Sequence, residues 1–174
     1  MERPDWDQYF MTMAYLAASR SRDSSTHAGT VIVRPDNTVV STGYNNPPKG
    51  MTIEEVPDTR PEKYFYMEHS ERNAIYAAAA NEGGVQGCRL YVNFLPCADC
   101  ARAIIQSGIT EVIVHREGQD SFDKASGNTG GEWDASHAAT LRILRTASQE
   151  SIIRWWSGKL WTPTGFFRGT EFTL

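Results

Sequence analysis

Apolar positions recur along this chain with two periods, and the switches between them mark its elements. Over residues 5–22, Tyr9, Phe10, Met13, Leu16 and Ala17 fall at helical spacing behind Asp5, a cap residue. They predict an amphipathic helix with those five side chains as its buried face. Ser19-Arg20-Ser21-Arg22-Asp23 closes it as a polar turn. Residues 28–33 are a continuous apolar, β-branched run, and residues 38–43 are a second strand. Arg34-Pro35-Asp36-Asn37 joins the two as an antiparallel hairpin. Residues 51–66 are irregular and end in Tyr64-Phe65-Tyr66, which either stack on a ligand or pin the loop to the core. Residues 68–82 are alanine-rich and helical, stopped by Gly83-Gly84. A strand over 88–94, a helix from 96 to about 107 with Gly108 as its cap, and a strand over 111–115 follow. Strand–helix–strand at this spacing predicts a parallel crossover. Residues 116–132, rich in glycine and polar residues, read as a mobile surface loop. A helix over 133–148 presents Ala138, Ala139, Leu141, Ile143 and Leu144, and a fifth strand spans 151–156. The fold class is therefore α/β. The tail, 157–174, carries Trp161, Phe166, Phe167 and Phe172. That is too aromatic for a disordered end, so it is expected to pack on its own domain or on a neighbouring subunit.

Length and composition narrow the function classes. The 174 residues suit one domain, residues 1–174, with an independent core. A net charge of −4 without a basic stripe argues against a nucleic-acid partner, though not against a small anionic substrate. No stretch approaches the length of a membrane span, so no membrane partner is expected. Three cysteines, an odd count, point to a reducing compartment and a metal site rather than a disulfide framework. With a polar N-terminus lacking a signal-peptide core, this reads as a cytoplasmic protein. Cys88 stands far from any other ligand and reads as a small core residue.

The chemistry concentrates in His69-Ser70-Glu71 and Pro96-Cys97-Ala98-Asp99-Cys100. Together they follow the H-x-E and P-C-x-x-C pattern of zinc-dependent nucleobase deaminases. Cys97 and Cys100 stand three apart, on one face of a helix opened by Pro96 in its first turn. A thiolate there is favoured by the helix dipole and by a metal. His69 adds a nitrogen from a second element. Three protein ligands leave one tetrahedral position for water, the arrangement of a catalytic Zn2+. Glu71 is not needed as a ligand and, in the first turn of its helix, can move protons beside that water. The competing reading is two buried cysteines and an unrelated capping triplet. Absence of a second C-x-x-C counts against a closed four-cysteine site. Asn45, in the turn-rich segment after the second strand, either binds a sugar hydroxyl or serves its turn. Arg20 and Arg22 are either a solvated helix end or a phosphate-binding pair.

On these motifs, and on Ala28-Gly29-Thr30-Val31-Ile32-Val33, Gly43-Tyr44-Asn45, Asn73-Ala74-Ile75, Leu90-Tyr91-Val92 and the run from Ala103 to Ile109, the chain resembles the cytidine deaminase superfamily, and within it the deoxycytidylate (dCMP) deaminases. The resemblance covers about Asp5 to Ile153. It implies a three-layer α-β-α fold around a central five-stranded mixed sheet. It further implies hydrolysis of dCMP to dUMP and ammonia, and a homo-oligomer, a hexamer or a dimer. By the same resemblance His69, Cys97 and Cys100 match the zinc ligands, Glu71 the proton carrier and Asn45 a substrate contact. Three positions depart from the family. The usual Ala between His and Glu is Ser70. The Gly after Tyr-Asn is Asn46, in the loop where regulated members bind dCTP and dTTP. No Tyr occurs in 115–120, so base stacking falls to Phe122 or the substrate differs. The runner-up activity is zinc-dependent deamination of another nucleoside, nucleotide or base: a modified cytosine, a guanine-type ring or a pterin. A rival from another class is a zinc-stabilised binding module without catalysis.

Overall fold

The computed structural model describes residues 3–57, 59–81, 83–126, 132–147, 152–162, 164–167 and 170–173; for 126, 132, 133 and the last two segments it describes the backbone alone. The elements run α1 (Trp6–Ala18), β1 (Gly29–Val33), β2 (Val39–Tyr44), two short 3-10 turns (Ile53–Glu55 and Glu62–Phe65), α2 (Ser70–Ala80), β3 (Arg89–Val92), α3 (Ala98–Gln106), β4 (Glu111–His115), α4 (Arg116–Ser126), α5 (Glu132–Thr146), β5 (Ile153–Trp156), β6 (Thr164–Phe167) and β7 (Thr170–Thr173).

Five strands form one mixed sheet in the order β2-β1-β3-β4-β5. β1 pairs antiparallel with β2 and with β3, whereas β3, β4 and β5 run parallel. The crossover expected between β3 and β4 is made by α3. β1 is buried along its whole length, because helices cover both faces of the sheet. One face carries Ile32, Leu90, Val92, Val112 and Val114 against Ala74 and Ala78 of α2, Ala101 and Ile104 of α3, and Leu144 of α5. The other carries Val31, Val33, Tyr91 and Ile113 against Phe10, Met11 and Ala14 of α1. Alternation along each strand thus feeds two cores, and the molecule has the α-β-α layering of the expected class. Cys88 is buried in the first core, as its isolation suggested.

Several expectations need correction. Asp5 caps α1, accepting from the Gln8 amide at 2.7 Å. The buried stripe, however, is Phe10, Met11, Ala14 and Ala18; Leu16 is 70% exposed and Tyr9 also faces outward. The expected stripe missed two alanines, Ala14 and Ala18. They are needed because α1 lies so close to β1 that a Cβ at Gly29 would stand 2.0 Å from the Ala14 carbonyl oxygen. α1 also stops at Ala18 instead of residue 22, since Ser21 turns inward and donates to the Asn45 carbonyl at 2.9 Å. Pro96 precedes α3 instead of opening it, and Cys97 takes the cap position.

Residues 116–126 are a helix, not part of a loop. Their polar composition hides tertiary anchors: Gln119 Oε1 accepts from the Leu95 amide at 2.7 Å, and Phe122 packs on Phe94 with ring centroids 5.2 Å apart. Residues 127–131 of that stretch lie outside the described residues. Of the three aromatics at 64–66, Phe65 is 83% exposed and Tyr66 is exposed too, so neither pins the loop, whereas Tyr64 is half-buried and lines a pocket. The first part of the tail does pack on its own domain: the Lys159 carbonyl accepts from Gln8 and the Trp161 amide donates to Thr12 Oγ1. Beyond it, β6 and β7 form an antiparallel pair. Phe166, Phe167 and Phe172 are on these strands, and their packing lies outside what is described. No helix among the described residues is long and apolar enough to cross a membrane.

Candidate active site

The loop between β2 and α2 ends at His69, the cap residue of α2, and the loop after β3 ends at Cys97, the cap residue of α3. Both helix N-termini therefore meet near the carboxyl end of β3. His69 Nδ1 lies 3.4 Å from Cys97 Sγ and 3.6 Å from Cys100 Sγ. Among the described residues these three are the group of metal-ligating side chains whose donor atoms converge, all within 4.8 Å of one another. Two sulfurs and an imidazole nitrogen at this spacing suit a soft, tetrahedral cation, and zinc in particular.

Backbone geometry fixes the two halves. Asn73 donates to the Tyr44 carbonyl at 2.8 Å, tying α2 to the end of β2. The amide of Ala98 donates to Ser136 Oγ, and Thr140 Oγ1 donates to the Pro96 carbonyl, so α5 holds the cysteine turn. Electrostatics prepare the ligands. The Cys97 thiol is pulled down to about 4, first by a hydrogen bond from Cys100 and then, against burial, by His69. Cys100 is pushed up by that same contact and by burial. The contact thus favours a thiolate at Cys97, and a bound cation would favour one at Cys100 as well.

Glu71, the second residue of α2, is 4% exposed and shares a pocket wall with His69 and Cys97. Burial raises its pKa, with the His69 charge opposing. A carboxyl so placed, beside the converging metal-ligating group, is positioned to carry protons. The pocket encloses about 440 Å³, ample for a nucleotide-sized ligand.

Two of the three expected substrate contacts line this pocket. Asn45 does, but its amide is already engaged: Oδ1 accepts from the Ala28 amide and Nδ2 donates to the Thr26 carbonyl. It braces the start of β1 against the end of β2, a long-range role that neither expectation described. Phe122 lines the pocket between Phe94 and His137. Arg22 does not reach this pocket; it borders a neighbouring cavity with Ile53, Glu54 and Val56. The cations of the main pocket are instead Arg60 and Lys63. Lys63 is buried in an ion pair with Asp23, and both Lys63 and Arg60 donate to Ser25 Oγ, at 2.7 and 3.2 Å. Sequence reading missed this group. Its members are split between residues 23–25 and 60–63, and no spacing rule joins them. Asn93 was missed for the same reason: it accepts from Gly29 N and donates to the His27 carbonyl, shaping the pocket loop.

Comparison with known proteins agrees with this geometry. The family model of the cytidine and deoxycytidylate deaminase zinc-binding region matches residues 4–116. The deoxycytidylate deaminases of Homo sapiens and Pongo abelii are each 39% identical to this chain over 128 residues, covering 70% of it and 71% of the relative. Among solved structures, that of dCMP deaminase from the cyanophage S-TIM5 in complex with dCMP and dUMP superposes with a TM-score of 0.61 at 20% identity. It covers 91% of this chain and 100% of its own, a likeness of fold. With a family model spanning most of its length and relatives this similar, the chain belongs to the cytidine and deoxycytidylate deaminase family.

Proposed function

We propose that this protein is a zinc-dependent hydrolase converting dCMP to dUMP and ammonia. The observation that carries the reading is the buried Glu71 carboxyl in one pocket with His69 and Cys97 of a three-donor metal group. A binding module has no use for a carboxyl beside a metal group with one position to spare. Curated relatives named for dCMP support the choice of substrate.

His69, Cys97 and Cys100 would hold the zinc. Bound there, zinc supplies Lewis-acid activation of water at neutral pH. Glu71 takes a proton from the attacking water and delivers it to N3 of the ring as the C4–O bond forms. It then takes the remaining proton from the C4 hydroxyl as the C4 carbonyl forms and delivers it to the exocyclic amine as the C4–N bond breaks and ammonia leaves. Phe122 and Phe94 offer aromatic faces to the base, and Arg60 offers a cation to the 5′-phosphate. Asp23 neutralises Lys63, so Arg60 supplies the net positive charge of that group. The whole chain acts as one deaminase domain. We also read it as a cytoplasmic homo-oligomer, a hexamer or a dimer. Exposed Trp6, Leu16 and Phe65 support that reading, and sedimentation of the intact protein tests it.

The deciding experiment follows ultraviolet absorbance with dCMP, CMP, dCTP, deoxycytidine and cytosine on zinc-loaded protein. Turnover of dCMP well above deoxycytidine is expected. Alongside it, Glu71→Gln is expected to keep zinc and fold while losing about 10²–10⁴-fold in kcat, the usual share of a positioned acid–base group. Undiminished turnover in that variant removes the mechanism. Inactivity of the zinc-loaded wild type on all five substrates removes the dCMP reading and moves the search to modified cytosines, guanine-type rings and pterins.

A further inference from the structure

The Glu71 carboxyl does not stand alone in its pocket wall. Ser70, fully buried in the first turn of α2, donates its hydroxyl to Glu71 Oε2 at 3.0 Å. Ser70 Oγ also lies 2.8 Å from Thr30 Oγ1, on β1 and equally buried. Serine has one proton. With that proton directed at the carboxyl, Thr30 is the donor of the second bond. The three groups therefore form a directed chain from Thr30 through Ser70 to Glu71, in a buried site where such chains reinforce themselves.

We propose that Ser70 and Thr30 are positioning residues for the deamination step, holding Glu71 Oε2 so that Oε1 is the oxygen presented to the reacting atoms. This rests on the reading of Glu71 as the proton carrier. The terminal torsion of a glutamate is broad and two-fold, so an unanchored carboxyl samples many orientations. A group that must serve water, ring nitrogen and amine in succession gains from having that freedom removed beforehand. The sheet gives Thr30 no alternative hydroxyl partner directly across: its neighbours in register are Gly43 and Val92. An alanine at position 70 would leave Thr30 Oγ1 without this partner and Oε2 without this donor.

The test compares Ser70→Ala, Thr30→Val, Thr30→Ser and the double variant Ser70→Ala/Thr30→Val, all zinc-loaded, for kcat and KM on dCMP, zinc content and thermal midpoint. Ser70→Ala is expected to lower kcat about tenfold with KM and zinc content unchanged, the signature of an interaction that matters in the transition state. Thr30→Val should lower kcat about threefold, Thr30→Ser should restore it, and the double variant should be no slower than Ser70→Ala alone. The Glu71 carboxyl band, read as the infrared difference against Glu71→Gln, should shift in Ser70→Ala and in Thr30→Val. A wild-type kcat in Ser70→Ala, or losses that multiply in the double variant, overturns the proposal. If Ser70→Ala does not fold, the Thr30 pair decides: Thr30→Val at full kcat also overturns it. Failure of the underlying reading looks different, because there Glu71→Gln itself stays active.

Discussion

Arg60 and Lys63 border the same pocket yet have different tasks, and single substitutions separate them. Arg60 is exposed and donates to Ser25. Arg60→Ala should raise KM for dCMP about tenfold, the equivalent of one charge-assisted contact, and leave deoxycytidine unchanged. Steady-state kinetics on the two substrates checks this. Lys63 is paired with Asp23, both nearly inaccessible. Lys63→Met strands a buried carboxylate and should cost about 3–5 kcal/mol, whereas Asp23→Asn/Lys63→Met should recover most of it. The pair also sets a pH dependence. Burial alone would raise the Asp23 pKa, but hydrogen bonds from Ser25, Lys63 and Thr26 outweigh it and hold the value below the ordinary 3.8. A depressed carboxylate stabilises the fold in full above that ordinary value and loses its contribution as pH falls through the lowered one. Urea unfolding of wild type and double variant across about pH 3 to 6 should therefore show a gap that is constant at the upper end and narrows below the ordinary value. At this scale the convergent His69, Cys97 and Cys100 donors and the buried Glu71 were legible in the sequence, because each of the two motifs is local. The Arg60–Lys63–Asp23–Ser25 group was not, because a turn end and a 3-10 segment meet only in space.

Elements meet the sheet at distances that side-chain size sets. A Cβ at Gly43 of β2 would stand 2.1 Å from the Ser70 carbonyl oxygen and 2.5 Å from the Ala74 amide nitrogen. Both are backbone of α2, so the whole helix must give way. Gly43→Ala should then cost about 1–3 kcal/mol or more through overpacking. It should also lower zinc affinity, because α2 carries His69 at its cap. Chelator competition and thermal unfolding measured together would check it; unchanged zinc affinity with α2 displaced would argue against this coupling. The same close approach explains the misjudged face of α1, where alanines and not the larger Leu16 and Tyr9 meet β1. For α4, composition pointed to a loop, while the helix is secured by Gln119 on the Leu95 amide and Phe122 on Phe94. Tertiary anchoring overrides weak local propensity in such a segment.

At the scale of the whole molecule, a metal held by His69, Cys97 and Cys100 would tie two helix starts together. His69 comes from the cap of α2 and the cysteines from the cap and first turn of α3, so a bound zinc would cross-link two elements that also meet through the Arg72–Asp99 ion pair. Binding to the folded state alone stabilises it in proportion to the logarithm of ligand excess. Removal of zinc with a strong chelator should lower the thermal midpoint by several degrees, and zinc should restore it. Calcium and magnesium should not, since they prefer oxygen ligands. Scanning calorimetry of the three states checks this, and an unchanged midpoint after verified zinc removal would count against a cross-linking role.

What the sequence determined by itself is what local rules encode: the apolar period of each element, the parallel crossover between β3 and β4, and two motifs whose ligands sit within four residues of one another or of a helix start. The resemblance carried by those motifs added the five-stranded sheet and the chemistry. Tertiary structure decided the rest. It chose the buried stripe of α1, made a helix of residues 116–126, turned Asn45 into a brace, set Arg22 behind the pocket and brought Arg60 to it. It also joined Thr30, Ser70 and Glu71 into one hydrogen-bonded chain. Each of these depends on which backbone lies across from which side chain. That is a consequence of packing two cores against one sheet, and no one-dimensional spacing records it.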